Sequence, residues 1–292
     1  MASVAQIRSR YENRKRTAAA ATTQAARGPR HRALQDQFAS LKREHDDVCR
    51  AMYEAAQVQR KLCGPRHLRS GPYEFASEIF PVRHLSGDFI SLLQIDGDLV
   101  FAIGDIAGKG LMAAMWFTHL VGMIRRQMTT LGDPAVAISS VNRDLLLTGL
   151  EVPLTTLFLA RLNLASGDLT YCNAGHPPAL LIRENNDVQE LRAGGPVLGA
   201  IVGAPFANGR ARLCPSHTLV AYSDGIPECR NEMGIEFEAK GLLDAARACS
   251  GCKPRLMLFS VLAAVENFAG IQRREDDVAL MVLHRFGSCR ND

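Results

Sequence analysis

The chain has 292 residues, of which 47% are hydrophobic and 22% are charged, a composition typical of a soluble globular protein with one large domain and an extension. Its longest apolar stretch, residues 111–124, is interrupted by Thr118 and His119 and is followed by two arginines, so it predicts a buried helix and no membrane span.

The net charge of +4 is unevenly distributed along the chain. Residues 1–32 carry eight Arg or Lys and one Glu, and this basic tail is predicted to be disordered, without any pattern of specific nucleic-acid recognition. The eight cysteines form no disulfide framework and follow no signal peptide. They indicate a reducing compartment, the cytoplasm.

A heptad seam begins at residue 34, where apolar positions recur in steps of four and three over about four repeats. It predicts a helix that ends at the Cys-Gly-Pro of residues 63–65. Two interpretations stay open: an amphipathic helix packed on the domain that follows, or a parallel coiled coil that forms a homodimer through residues 34–62. The seam consists of Leu34, Phe38, Leu41, His45, Val48, Met52, Ala55, Gln59 and Leu62, of which His45 and Gln59 are polar interruptions.

Beyond the helix, short β-type runs alternate with helical stretches. This order indicates mixed α and β layers and not a regular parallel βαβ series. Strands are predicted over residues 99–103, 154–164, 168–173, 179–183, 219–222 and 278–284, and helices over 111–128, 133–147 and 254–268.

Four acidic stretches lie far apart in the chain, and each places a carboxylate at the end of an apolar run. They are SGDF at 86–89, GDIAGKG at 104–110, SDG at 223–225 and DDV at 276–278. A single aspartate of this kind is usually a turn former or a helix cap. Four of them at strand ends predict a set of hard oxygen ligands for Mg²⁺ or Mn²⁺.

The order and the sequences of these motifs resemble those of the metal-dependent protein serine/threonine phosphatases, the PPM family, in its bacterial SpoIIE-like branch. The similar region covers residues 53–285 and includes the sequences YCNAGHPPALLI and LVAYSDGIPE. The resemblance implies an α+β fold, a β-sandwich of two antiparallel sheets flanked by helices on both faces and preceded by an N-terminal helix. The implied domains are a disordered basic tail (1–32), a helical or coiled-coil linker (33–64) and the phosphatase domain (65–287).

The resemblance also implies a site for two Mn²⁺ or Mg²⁺ ions, in which a metal-activated water attacks phosphate and no side chain acts as nucleophile. The last of the implied ligands is Asp276, and Asp277 is the second choice for that position. Arg83 stands where many relatives outside this branch place a phosphate-binding arginine, although a surface arginine is equally compatible with the sequence. The implied ligands are Asp88, Asp105, the backbone carbonyl of Ile106, Asp224 and Asp276.

Two positions depart from the wider family. The second motif reads Asp105-Ile106-Ala107 where animal and plant relatives have a histidine that can protonate the leaving group, and either His84 or a metal-bound water is a candidate substitute. The hairpin at residues 174–176 has a histidine in place of a carboxylate associated with a third metal. We interpret this residue, His176, as a structural residue or one that supports a ligand, and not as a ligand itself.

Two rival motifs are weak. Residues 104–110 have one spacer too few for a phosphate-binding P-loop, and Gly110 replaces its hydroxyl residue. Cys249 and Arg255 have the C-x₅-R spacing of cysteine-dependent phosphatases, but a helical run precedes the cysteine where a strand is needed.

The sequence therefore predicts a cytoplasmic phosphatase that removes phosphate from serine or threonine of a protein. The resemblance implies a phosphorylated anti-sigma factor antagonist of the STAS type as substrate. The alternative is a non-catalytic interaction module with the same fold. A cluster of mutually repelling carboxylates argues against this alternative, because a module that only binds has no physical need for it.

Overall fold

Two sheets form the centre of the fold in the computed structural model, which describes residues 4–272 and 274–287. Neighbouring strands along each sheet are antiparallel, and a two-stranded parallel pairing adds β9 (Gly194–Gly195) to β6 (Asp168–Ala174). Sheet A has the order β1 (His67–Ser70), β2 (Tyr73–Phe80), β12 (Val278–Arg285), β11 (Thr218–Tyr222), β7 (Ala179–Ile182), β8 (Val188–Leu191). Sheet B has the order β10 (Gly209–Arg212), β6 (Asp168–Ala174), β5 (Thr155–Asn163), β4 (Asp98–Ile106), β3 (Phe89–Ile95).

The main hydrophobic core lies between the two sheets. Alternate residues of each strand point inward, so Phe75 and Met281 of sheet A belong to the same buried cluster as Phe101 and Phe158 of sheet B. Such sheet-on-sheet packing removes one face of every central strand from water. The core therefore fixes which face of each strand is internal, and with it where the strand ends lie.

Helices cover both outer faces of the sandwich. Sheet B packs against α2 (Leu111–Leu131) and α3 (Pro134–Leu146), whereas sheet A packs against α4 (Glu238–Ala248) and α5 (Pro254–Ala269). The Asp133 side chain caps α3 by accepting a hydrogen bond from the Val136 N–H at 3.0 Å. The predicted fold class, two antiparallel sheets between helices, is confirmed.

A single helix, α1 (Val4–Leu62), precedes the sandwich. Residues 4–32 are helical, so the prediction of disorder over residues 1–32 is wrong for this part. Residues 4–32 contain many alanine, arginine and glutamine residues, which have high intrinsic helix propensity. The helix predicted from residue 34 onward therefore extends through this segment. Residues 1–3 lie outside the described residues. None of the helices within residues 4–272 and 274–287 has the length and apolar character that a membrane crossing requires.

The predicted seam has two different environments along α1. Residues up to Ala51 form one compact unit and residues from Met52 onward form another. In the first unit Leu34 and Phe38 are 64% and 69% exposed. In the second unit Ala56 is buried in a small cluster with Leu85, and Met52 packs against that cluster. The last turns of α1 are thus a packed element of the second unit.

Candidate metal centre

Four strand ends bring the predicted aspartates together. Asp88 directly precedes β3 and Asp105 is the second-last residue of β4, its antiparallel neighbour in sheet B. Asp224 follows β11 by two residues and Asp276 precedes β12 by two, and these strands are antiparallel neighbours in sheet A. Each sheet therefore contributes two carboxylates at one end of the sandwich.

The electrostatics of these carboxylates show that they lie close together. Burial raises the pKa of Asp88 well above its usual range, and repulsion from Asp105 raises it further. Burial, followed by repulsion from Asp224 and Asp276, raises the pKa of Asp105 to about 6. The pKa of Asp224 is raised by burial and by repulsion from Asp276. A cluster of this kind carries more negative charge than its surroundings stabilise, which is the electrostatic condition for binding a cation.

Gly87 leaves space for oxygen atoms that a larger residue would displace. A Cβ atom at Gly87 would stand 2.8 Å from the carbonyl oxygen of Ile106, 3.0 Å from Oδ1 of Asp105 and 3.3 Å from the carbonyl oxygen of Gly108. Three oxygens thus face one small space. Hard oxygen donors of mixed carboxylate and carbonyl type are the ligands that Mg²⁺ and Mn²⁺ prefer.

The donors of this site are therefore not carboxylates alone. Within the described residues no three acidic, histidine or cysteine side chains form by themselves a group that could hold one ion. The fit to a divalent cation rests on the carbonyl oxygens together with the aspartates, and the carbonyl oxygen of Ile106 lies beside Oδ1 of Asp105 in the space that Gly87 leaves.

Asp276 and Asp277 have different surroundings. Asp277 is buried, and its carboxylate accepts hydrogen bonds from Val82 N at 2.7 Å, Ser86 Oγ at 2.8 Å and Gly87 N at 3.0 Å. These bonds engage both carboxylate oxygens and hold the backbone beside Asp88. The Asp276 side chain is 53% exposed and faces the cluster. This geometry favours Asp276 as a ligand and Asp277 as a positioning residue.

Basic groups stand at the mouth of the cluster. Lys109 Nζ lies 2.8 Å from Asp276 Oδ1 and donates to the carbonyl oxygen of Glu275 at 2.8 Å. The hydrogen bond with Asp276 raises the pKa of Lys109, and the nearby charge of Arg83 opposes this shift. Arg83 is exposed and lies within electrostatic reach of Lys109. Two cationic side chains at the opening can attract and orient a phosphate group.

Sequence reasoning missed two residues that position the site. The buried Ser223 donates from Oγ to Oδ2 of Asp88 at 2.6 Å and accepts from Ala279 N at 2.8 Å. Gln59 of α1 donates from Nε2 to the carbonyl oxygen of Ser86 at 2.7 Å. Two features of the sequence could have indicated these residues: Ser223 directly precedes Asp224, and Gln59 is a polar residue at an otherwise apolar position of the seam.

The two histidines near the site differ in exposure. His176 is buried, its Nδ1 lies 2.8 Å from Thr156 Oγ1, and burial lowers its pKa to about 3. It is neutral at physiological pH, which agrees with a structural role. His84 is exposed and lines a cavity of about 40 Å³ that Asp88 also lines. Of the two, His84 is the candidate proton donor.

The cysteine alternative lacks a suitable environment. Cys249 lies at the C-terminal end of α4, where its N–H donates to the carbonyl oxygens of Ala246 and Arg247. A nucleophilic cysteine needs a helix N-terminus, whose positive end lowers the thiol pKa. The negative end of a helix disfavours the thiolate, so the C-x₅-R spacing is a coincidence of sequence.

Comparisons with known proteins agree with this architecture. A family model described as Stage II sporulation protein E (SpoIIE) matches residues 95–286. Phosphoserine phosphatase RsbU of Bacillus subtilis (strain 168) is 27% identical over 238 residues, which cover 79% of this chain and 69% of that protein.

Two solved structures share the fold. The SiaA-PP2C domain of Pseudomonas aeruginosa gives a TM-score of 0.72 at 17% identity, covering 84% of this chain and 99% of that one. The PP2C phosphatase domain of SpoIIE from Bacillus subtilis, solved with a fragment of its regulatory domain, gives 0.64 at 19% identity, covering 75% and 64%.

Proposed function

Since this chain belongs to the SpoIIE family of protein serine/threonine phosphatases, we propose that it hydrolyses phosphoserine or phosphothreonine in a protein substrate with the help of two Mn²⁺ or Mg²⁺ ions. The observation that carries the proposal is the convergence of strand-end carboxylates from both sheets beside the carbonyl oxygen of Ile106. Divalent cations, when bound, supply positive charge that activates water and offsets the charge of phosphate.

The residues of this chain have separate tasks in the proposed reaction. Metal binding falls to Asp88, Asp105, Asp224 and Asp276 with the carbonyl of Ile106. The raised pKa values of Asp88, Asp105 and Asp224 reflect a charge that cations would stabilise. Asp277, through its hydrogen bond with Gly87 N, and Ser223, through its hydrogen bond with the carboxylate, keep Asp88 in place.

Phosphate binding and proton donation require groups at the opening of the site. Arg83 and Lys109 are exposed there and carry the charge that attracts a phosphate monoester. A guanidinium can form two parallel hydrogen bonds with phosphate oxygens, which suits Arg83 for orienting the substrate. His84 is our candidate for the group that protonates the departing serine or threonine oxygen.

The substrate that we propose is a phosphorylated anti-sigma factor antagonist of the STAS type, acting in bacterial signalling. Membership of the family and the similarity to a phosphoserine phosphatase support this part of the proposal. We further propose that the protein works in the cytoplasm, where its scattered cysteines would stay reduced. A homodimer through residues 34–62 is a further part of the proposal, and exposed apolar side chains such as Phe38 favour it.

Hydrolysis of p-nitrophenyl phosphate and of a phosphoserine STAS protein, each with and without Mn²⁺, tests the proposal. Wild-type protein should hydrolyse both, and EDTA should abolish both activities. Asp105→Asn and Asp224→Asn should each reduce turnover at least about a hundredfold, because each loses a full ligand charge.

Cys249→Ser is the matched control for this experiment and should retain full activity. Near-normal turnover of either aspartate variant in saturating Mn²⁺ would overturn the metal assignment. Activity that survives EDTA but is lost in Cys249→Ser would replace the metal mechanism by the cysteine mechanism.

A further inference from the structure

Large apolar side chains are exposed to solvent on three segments near the loop that carries Asp105: the first turns of α2, the segment before β5, and residues 201–202. Monomeric proteins rarely expose many such groups in one place, and where they do the surface usually binds a partner. We call six of these residues the apolar rim: Met112 (55% exposed), Met115 (67%), Leu150 (68%), Leu154 (50%), Ile201 (53%) and Val202 (80%).

The apolar rim adjoins the metal-binding loop directly. Ala107, the second residue after Asp105, donates its N–H to the carbonyl oxygen of Leu154 at 2.8 Å. A Cβ atom at Gly108 would stand 3.2 Å from Cε of Met112. The first turn of α2 and the segment before β5 therefore both lie against the loop that carries Asp105.

The segment that contains Ile201 and Val202 is linked by hydrogen bonds to the segment before β5 and to α3. Leu198 forms an antiparallel bridge with Thr155, the residue that follows Leu154. The buried Asn142 donates from Nδ2 to the carbonyl oxygen of Ile201 at 2.9 Å and accepts from Gly199 N at 2.9 Å. The backbone is thus anchored while the apolar side chains remain exposed.

We propose that the apolar rim is the docking surface for the folded phosphoprotein substrate. This inference rests on the proposed function. A phosphoserine side chain is short, so a folded protein that delivers it to the carboxylate cluster must bring its own surface against the rim. The partner therefore presents an apolar patch beside its phosphorylated residue.

The charges around the site favour the substrate over a second copy of this chain as the occupant. Lys109 and Arg83 at the mouth of the cluster complement the negative phosphate of a substrate. Methionine side chains at positions 112 and 115 can adapt to the shape of the partner.

The test compares a protein substrate with a small one. The variant Leu150→Ser/Val202→Ser removes two exposed rim side chains and leaves the core untouched. With a phosphoserine STAS protein its KM should rise at least about tenfold, because the contacts that it loses form only with a protein partner. With p-nitrophenyl phosphate its kcat/KM should stay within about twofold of wild type, because the chemistry is unchanged.

Leu256→Ser is the matched control, because Leu256 is 60% exposed on α5, on the outer face of sheet A. It should leave both activities unchanged. An unchanged KM for the phosphoprotein in the rim variant would overturn the proposal, and so would an equal loss of both activities. Conversion of a dimer to a monomer with unchanged KM would assign the rim to self-association instead.

Failure of the wild-type protein to hydrolyse p-nitrophenyl phosphate with Mn²⁺ would be a different result. It would overturn the proposed function, and with it the premise of the docking surface. A wild-type protein that is active on both substrates, with a rim variant that loses only the phosphoprotein, separates docking from chemistry.

Discussion

Gln59 holds Ser86 by both ends of its side-chain amide. Its Nε2 donates to the Ser86 carbonyl oxygen at 2.7 Å, and its Oε1 accepts from the Ser86 N–H at 3.3 Å. Ser86 is two residues from Asp88, and its hydroxyl also donates to Asp277. The end of α1 and the residue before β12 therefore hold the same short segment from two sides, and that segment carries the first predicted metal ligand.

The first prediction concerns this amide. Gln59→Glu keeps the size of the side chain but loses the N–H that bonds to the Ser86 carbonyl, so the backbone beside Asp88 should be held less firmly. We expect the Mn²⁺ concentration for half-maximal p-nitrophenyl phosphate hydrolysis to rise about tenfold, with a smaller fall in kcat. Gln94→Glu, which alters an exposed glutamine on β3, is the control and should behave as wild type. Equal Mn²⁺ requirements in both variants would contradict a positioning role for Gln59.

The second prediction separates Asp276 from Asp277. Asp277→Asn replaces one acceptor oxygen of a buried carboxylate that receives three hydrogen bonds, so the metal-free protein should lose about 2 kcal/mol of unfolding free energy. Asp276→Asn changes a half-exposed side chain and should change that free energy by less than about 1 kcal/mol. Urea unfolding in EDTA measures both values. Turnover should fall in both variants. If Asp276→Asn lost more unfolding free energy than Asp277→Asn, the ligand and positioning roles of these two residues would be reversed.

The third prediction concerns pH. The pKa of Asp105 is about 6 in the folded protein, above its ordinary value of 3.8, so between these values the folded state keeps a proton that the unfolded state has released. The contribution of Asp105 to folding stability therefore becomes less favourable as pH rises through this window. In EDTA, Asp105→Asn should gain about 2 kcal/mol relative to wild type between pH 4 and pH 7. A stability difference that is independent of pH would show that burial and the neighbouring carboxylates do not raise the pKa of Asp105 in the folded protein.

The carboxylates could be predicted from the sequence because each stands at the end of an apolar run. The family resemblance implies an antiparallel sandwich, which aligns the ends of neighbouring strands, and so these aspartates are expected to meet. The choice between Asp276 and Asp277 could not be made in this way. Adjacent residues at a strand end point in different directions, and only the packed structure shows that Asp277 faces Ser86 and Gly87.

The positioning residues escaped prediction for a different reason. Gln59 lies 27 positions before Ser86, and Ser223 lies 135 positions after Asp88. Their roles depend on the packing of α1 and of β11, which no local pattern encodes. In the seam pattern Gln59 stands as an interruption, because its partner is a backbone group of another segment. Charge and low hydrophobicity predict disorder over residues 4–32, but the helix propensity of these residues favours the helix that the structure has there.

The last prediction concerns α1, which is continuous from the exposed seam residues to Gln59. The seam around Phe38 should allow moderate self-association, and a shift in this association can reach Ser86 through the same helix. The full chain should therefore show a mass that depends on concentration. A chain that begins at Met52 should be monomeric, should keep most of its kcat, and should differ from the full chain in its Mn²⁺ requirement.

A second truncation, beginning at Leu68, also removes Gln59 and its two bonds to Ser86. We expect this chain to lose most of its kcat even in saturating Mn²⁺, because both the packed end of α1 and the amide are absent. Light scattering and p-nitrophenyl phosphate kinetics on the three chains measure association and turnover together. If the full chain and the chain from Leu68 were both monomeric with equal kcat and equal Mn²⁺ dependence, α1 would be a packing element only, and coupling between the seam and the metal site would be disproved.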